Sequence, residues 1–225
     1  MQKKCIFVLV FLFFMSSAAY TWDGATHAYI VEHLKKMGGP HRLAHIYGAI
    51  APDIFNFALE LDPALYDYLH DATHNDFMIL WNAVQEKHDI SFAFGFVSHN
   101  DVWGADYTAH WEAQTTGLAE GYIITKAKSL HAFLYANVEA YADLEDLGVD
   151  YDTYIELCHN IVESSGDIII KRAYPQIGSK IMESGYFKDA VFQALLLRAY
   201  WPGLAYLIGD EAAYNLILGY EYWFR

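Results

Sequence analysis

The chain has 225 residues, 55% of them hydrophobic and 17% aromatic, and a formal net charge of −14. That apolar content is ample for one large core and excludes a disordered polar chain. The acidic balance repels phosphate backbones, which excludes electrostatic binding of long nucleic acid as a default function.

The first element reads as a leader. Met1, Gln2, Lys3 and Lys4 form a basic start, residues 6–15 are apolar, and Ser16, Ser17, Ala18 and Ala19 are small, the three regions of a cleavable signal peptide. An apolar run of about ten residues is too short to span a bilayer. Residues 1–21 are therefore expected to be removed, and residues 22–225 to form one exported domain, secreted or periplasmic. Losing Lys3 and Lys4 and no acid takes the formal charge to −16. No later apolar run of spanning length stands out, so a soluble mature chain is expected. Of the two cysteines only Cys158 would remain, so a core or bound metal, not disulfides, must hold the domain together. Cys158 reads as a small buried residue, with metal contact beside His159 as the alternative.

Along the mature chain, apolar residues recur at helical spacing over 28–37, 79–84, 90–111, 119–141, 151–163, 166–174, 190–199 and 211–222. Breakers separate them at Gly38-Gly39-Pro40, Pro52, Pro63, Gly148, Pro175, Gly185 and Pro202-Gly203. Strand signals are scarce. The expected fold is a single all-α domain of about eight helices, with polar ligands projecting inward between them.

The richest stretch for chemistry is 94–110, FGFVSHNDVWGADYTAH. At 100° per residue, steps of seven and eleven return to within about 20° of the start, so His99, Asp106 and His110 would share one stripe. Asp101 would face the opposite side. Imidazole beside carboxylate suits zinc better than calcium, which takes oxygens only. The same stripe is also what the polar flank of an amphipathic helix looks like. Elsewhere, His27 follows Thr26 at the opening of the first helix, and Thr26 could cap it. Asp53 follows Pro52 on a turn. His70 and His74 are four apart, as are His159 and Glu163, so each pair can share a helix face. Taken singly, each is a weak signal, since a lone histidine is usually a satisfied core or surface side chain.

Taken in order, these pieces resemble the zinc-dependent phospholipase C family. They are Thr26-His27, Gly48-Ala49-Ile50-Ala51-Pro52-Asp53, Thr73-His74, Phe94 to His99 with Asp106 and His110, and His159-x-x-x-Glu163. Within the family, the chain looks most like the branch that includes the catalytic domain of glycosylphosphatidylinositol-specific phospholipase D. The resemblance covers about residues 22–165 and implies an all-α domain with two or three zinc ions in a cleft, acting on a phosphodiester such as a phospholipid. Carried over by position, Asp53, His74, His99 and Asp106 would hold one zinc. His110, His159 and Glu163 would hold a second, and His27 would contribute to a third together with Trp22, if cleavage after Thr21 frees its amine. Asp53 or Asp106 would orient the attacking water, with Asp53 the better candidate for general base.

One departure from the family pattern carries a structural prediction. The interval from the first His to the Asp is four residues in the family and seven here. Seven residues on a straight helix rise about 10 Å, across which two side chains can barely reach one ion with bonds of about 2 Å. The helix is therefore predicted to break between Asn100 and Gly104. Otherwise Asp106 and His110 serve a different ion from His99, and Asp101 is the alternative carboxylate. Aromatic side chains are more often core than cleft; Phe55, Phe57, Trp81, Trp103 and Tyr107 neighbour the ligand candidates and are the first candidates for pocket walls. The aromatic run 220–224 either touches a membrane surface or packs the last helix. No Gly-x-Ser-x-Gly elbow, P-loop or dinucleotide fingerprint is present. Two alternatives stand beside the phospholipase reading: a zinc nuclease of the S1/P1 type, and a non-catalytic helical domain that binds metal structurally or not at all.

Overall fold

Two helices that lack bulky side chains at their crossing form the centre of the fold. In the computed structural model, which describes residues 24–34, 41–58, 62–111, 120–186 and 189–225, these are α2 (Arg42–Ile50) and α5 (Lys87–His99). A Cβ added at Gly48 would lie 2.0 Å from the Phe92 carbonyl oxygen, and one at Gly95 would lie 2.1 Å from that of His45. The two glycines thus let backbone touch backbone. This contact sets the end of α5, at His99, beside the turn that follows α2, at Asp53.

Around this pair the order is α1 (Gly24–His33), α2, a 3₁₀ turn (Ala51–Phe57), α3 (Pro63–His70), a π-helical turn (Asp71–Asn75) and α4 (Met78–Asn82), before α5. A second π-helical turn (Tyr107–Trp111), α6 (Tyr122–Asn137), α7 (Glu139–Ala142), a 3₁₀ turn (Glu145–Leu147), α8 (Tyr151–Ala173), α9 (Ile177–Tyr186), α10 (Asp189–Ile208) and α11 (Asp210–Phe224) follow. Every regular element among the described residues is helical, as the sequence predicts. The main core gathers Tyr47, Ile54, Phe55, Phe92, Phe96, Phe192, Leu195 and Leu196. Burial of each such side chain contributes about 1.5–3 kcal/mol, so much of the chain's aromatic content holds the fold rather than lining a cleft. A polar knot closes this core: buried Glu221 accepts from the Tyr47 hydroxyl at 2.9 Å and from Gln193 at 2.7 Å, and pairs with Arg225 at 3.0 Å.

Several expected boundaries shift for identifiable reasons. Helix α2, nine residues long with Ala44 to Ile50 all buried, was not among the expected helices. Pro63 starts α3 rather than breaking one: it occupies the first turn, where its missing N–H costs nothing, and Asp62 caps Leu65 N at 3.2 Å. Helix α8 runs unbroken through Gly166, and α10 runs through Pro202 and Gly203. At Gly203 a Cβ would meet the Tyr68 hydroxyl at 2.2 Å, so the glycine makes room for that ring. Val191–Ile208 of α10 is also long and apolar enough to cross a membrane by composition, with 28% of that stretch buried, which corrects the expectation that no run of spanning length follows the leader. The expected signal segment 1–21 and Trp22 lie outside the described residues.

Candidate metal centre

The predicted break after His99 is present, and a single side chain builds it. Helix α5 ends at His99, and Asn100 turns to φ −27°, ψ 157°. Its side-chain oxygen accepts from the backbone N–H groups of Val102 and Trp103 at 2.8 Å each and of Gly104 at 3.2 Å, while its amide donates to the Val97 carbonyl at 2.6 Å. Asparagine here caps the next turn as it closes the last. A Cβ at Gly104 would meet the Asn100 and His99 carbonyls at 2.6 Å, so the tight return requires glycine. The chain folds back, and Asp106 comes within 3.0 Å of His99 Nε2 instead of about 10 Å along a straight rise.

Five of the sequence-predicted residues converge there. His74 Nε2 is 3.4 Å from Asp53 Oδ1 and 3.8 Å from Asp106 Oδ2, and His99 Nε2 is 3.6 Å and 3.0 Å from the same two oxygens. His27 does not stand apart as expected for a third site. Its ring stacks on His99 at 3.9 Å, and its Nε2 is 3.3 Å from Asp106 Oδ1. Asp106 thus turns one oxygen to His27 and the other to His74 and His99. All five are 5% exposed or less.

The outer nitrogens of two rings are fixed from behind. His99 Nδ1–H donates to the Ala49 carbonyl at 2.8 Å. His74 Nδ1 lies 2.8 Å from the Thr73 hydroxyl, which spends its own proton on the Leu69 carbonyl at 2.9 Å and so accepts from the ring. A carbonyl and an already-donating hydroxyl both require Nδ1–H, which leaves Nε2 of each neutral ring with a lone pair directed at the carboxylates. Both Nε2 atoms and Asp106 Oδ1 are buried. Rings tied at Nδ1 with Nε2 turned inward are how metal-ligating histidines are held. The residue capping α1 is Asp167 of α8, which accepts from Ala25 N, Thr26 N and the Thr26 hydroxyl at 3.0, 2.8 and 2.6 Å. Thr26 was expected as the cap; Asp167 replaces it from another helix and positions His27.

A second cluster stands beside the first. His110 Nε2, His159 Nε2 and Glu163 Oε1 are mutually 3.0–3.1 Å apart. His159 and Glu163 share a face of α8 as the four-residue spacing predicts, and the π-helical turn 107–111 brings His110 to them. Glu156, one turn before His159, stands 3.6 Å from its Nδ1. Glu163 Oε2 is buried with no hydrogen bond. Asp101, Asp106 and His110 form a further close group, so carboxylates link the two clusters. Each group has the donor types and the closeness that could hold a metal ion.

Charge tells the same story. Burial opposes ionisation of Asp53 and Asp106, yet His99 and the neighbouring imidazoles outweigh it and hold both carboxyls below the usual range. Burial likewise opposes a charge on His99, but Asp106 and Asp53 push it up to about 10. His159 also reaches about 10 against burial, driven by Glu156 and Glu163. His110 rises through Glu163. His27, by contrast, is lowered by burial and by His99. Buried carboxylates at this density demand a cation, and in the metal-free chain imidazolium supplies it.

No family model matches the chain, and no curated protein or solved structure matches it closely enough to show a relationship.

Both clusters open on one cleft of about 590 Å³, which His74 and Asp106 reach from the first and His110, His159 and Glu163 from the second. Of the two carboxylates expected to orient water, Asp106 is among the lining side chains and Asp53 is not. The expected walls lie elsewhere. Phe55 belongs to the core, Trp81 packs at the core edge against Phe94, and Trp103 is 57% exposed with its edge against Phe77. Tyr107 is half-buried outside the lining, and the Phe57 side chain is outside the described residues. The aromatic walls are instead Tyr66 and Trp111, with Asp101, Glu120 and Glu156 adding acid. His70 also lines the cleft. It stacks on His74 at 4.1 Å, and burial, then His74, pushes it down to about 4. Tyr66 and Glu120 carry no spacing signal in the sequence, while Glu156 was readable as the residue one turn before His159.

Proposed function

We propose that the chain is an exported, zinc-dependent phosphodiester hydrolase of the phospholipase C type, built on the multi-helix fold that this family shares with S1/P1 nucleases. The observation that carries the reading is the opening of two histidine–carboxylate clusters onto one cleft. Around a tetrahedral ion with bonds of about 2.0–2.1 Å, donors stand about 3.3 Å apart, and the measured separations of 3.0–3.8 Å bracket that value. Mixed nitrogen and oxygen donors favour zinc over calcium or magnesium.

His74, His99, Asp53 and Asp106 would hold one ion, and His110, His159 and Glu163 a second, with His27 sharing Asp106. Four donors suit a filled coordination sphere, and three leave a position open to the cleft. When bound, zinc supplies Lewis acidity toward phosphoryl oxygens and lowers the pKa of water toward neutrality. Asp106, held ionised and facing the cavity, accepts a hydrogen bond from the attacking water and orients it. Tyr66 and Trp111 flank the substrate. The described lining contains no lysine or arginine, so the cleft has no permanent cation to receive a phosphate. Its acids and the chain's net charge of −14 disfavour a polyanionic strand and favour a small phosphodiester or a phospholipid head group over a nuclease substrate. Export rests on the leader pattern of residues 1–19.

The test is hydrolysis of a phosphatidylcholine analogue and of single-stranded DNA by the zinc-loaded protein. Turnover of the lipid analogue, lost on chelation and restored by zinc, is expected. Fully loaded protein that cleaves neither, or that cleaves equally well as His99→Ala and His159→Ala, refutes the reading.

A further inference from the structure

A second cavity, of about 270 Å³, lies toward the far end of the α6/α8 pair. It is lined by His131 and Tyr135 of α6, Tyr151 and Tyr154 of α8, and Glu145 and Asp150 from the connection between them. None of these belongs to either metal cluster. The His131 ring is 5.8, 5.2 and 5.1 Å from those of Tyr135, Tyr151 and Tyr154. The walls meet near right angles, His131 with Tyr151 at 88° and Tyr135 with Tyr154 at 84°.

Polar bonds hold these walls in place. The Tyr154 hydroxyl donates to the Tyr141 carbonyl at 2.9 Å, the Tyr135 hydroxyl donates to the Glu145 carboxylate, and Asp150 accepts from Thr153 N at 2.8 Å. The pocket thus presents four aromatic rings and two carboxylates. Tyr135 and Tyr151 remain 44% and 52% exposed. The described lining has no lysine or arginine, and Lys128, one turn from His131, is paired with Glu120. Burial, then Glu145, Asp143 and Asp146, pushes the Tyr154 hydroxyl up, which reports a negative field.

We propose that this pocket binds a quaternary or methylated ammonium group. Such a cation needs no hydrogen-bond acceptor and is drawn to electron-rich ring faces. The two carboxylates add long-range attraction without the close oxygen cluster that a metal ion would need. The inference does not rest on the hydrolase reading.

The test is calorimetry on the full, metal-loaded chain with tetramethylammonium, choline and the uncharged choline isostere 3,3-dimethyl-1-butanol, at constant ionic strength. Both cations are expected to bind at least about ten-fold more tightly than the isostere. Tyr151→Leu and Tyr135→Leu should each weaken them about ten-fold, Tyr135→Phe should retain binding, and Trp223→Leu, an exposed residue of α11 outside both cavities, should leave it unchanged. The substituted rings are half-exposed, so unchanged thermal unfolding verifies that the variants fold. Equal binding of cation and isostere, no binding of tetramethylammonium, or binding that survives both leucine variants overturns the proposal. Sedimentation with phosphatidylcholine against phosphatidylglycerol vesicles separates two supporting outcomes. Retention by the former alone makes a lipid head group the source, and choline binding without retention makes it a free small cation. None of these readouts requires phosphodiester hydrolysis.

Discussion

The two candidate metal clusters use the same side-chain types in opposite settings. His74, His99, Asp53 and Asp106 are sealed at 5% exposure or less, and two of the rings are tied from behind by a backbone carbonyl and a threonine hydroxyl. His110 and His159 sit in the cleft wall with side chains 20% and 17% exposed, on one long helix and a single π-helical turn. The difference teaches that one cluster is part of the core, whereas the other is mounted on its surface. Loss of a ligand should unfold the first and merely empty the second.

The largest effect is expected from His99→Ala. It leaves Asp53 and Asp106 buried without their cation, which costs about 3–5 kcal/mol, and chemical denaturation should report a loss of that order together with the loss of bound ion. His159→Ala should also lose an ion, at a cost of about 1 kcal/mol. Equal stability losses in the two variants would erase the contrast. Next comes Gly95→Ala. Its Cβ would meet the His45 carbonyl oxygen at 2.1 Å, so α2 and α5 must part, with about 3 kcal/mol lost, and the first cluster should lose metal although no ligand has changed.

Much of the candidate site was legible because its ligands follow local rules. Four-residue spacing places His159 and Glu163 together, and the seven-residue interval after His99 forced the prediction of a break that Asn100 and Gly104 then make. What was not legible depends on tertiary packing. Asp167 caps α1 from 141 residues away, and the cleft walls Tyr66 and Trp111 are selected by how α3 and the 107–111 turn approach α8. The fold class was readable from period alone. Helix α2, only nine residues long, was not.

Smaller effects sharpen the same contrast. Thr73→Val removes the hydroxyl that fixes His74 Nδ1, and zinc affinity of the sealed cluster should fall about 10–100-fold, measured by competition with a chromogenic chelator, with the open cluster unaffected. The smallest effect is protonic. His99 and His159, raised to about 10 without metal, hold protons at neutral pH that an incoming ion must displace. Zinc binding near pH 7.5 should therefore release protons, visible as a dependence of calorimetric heat on buffer ionisation enthalpy, and affinity should climb as pH rises toward about 10. In the metal-free chain the same raised values contribute stability that is complete below about pH 6.5 and fades as pH rises through about 10. A buffer-independent heat would contradict this.

The central claim is that distant donors meet in two neighbouring ion sites, and zinc counted per chain tests it most directly. Elemental analysis of purified protein should find at least two zinc ions in the native chain, with one fewer in each of His99→Ala and His159→Ala. A native chain that carries none when supplied with zinc, or variants that retain the full complement, would contradict the account.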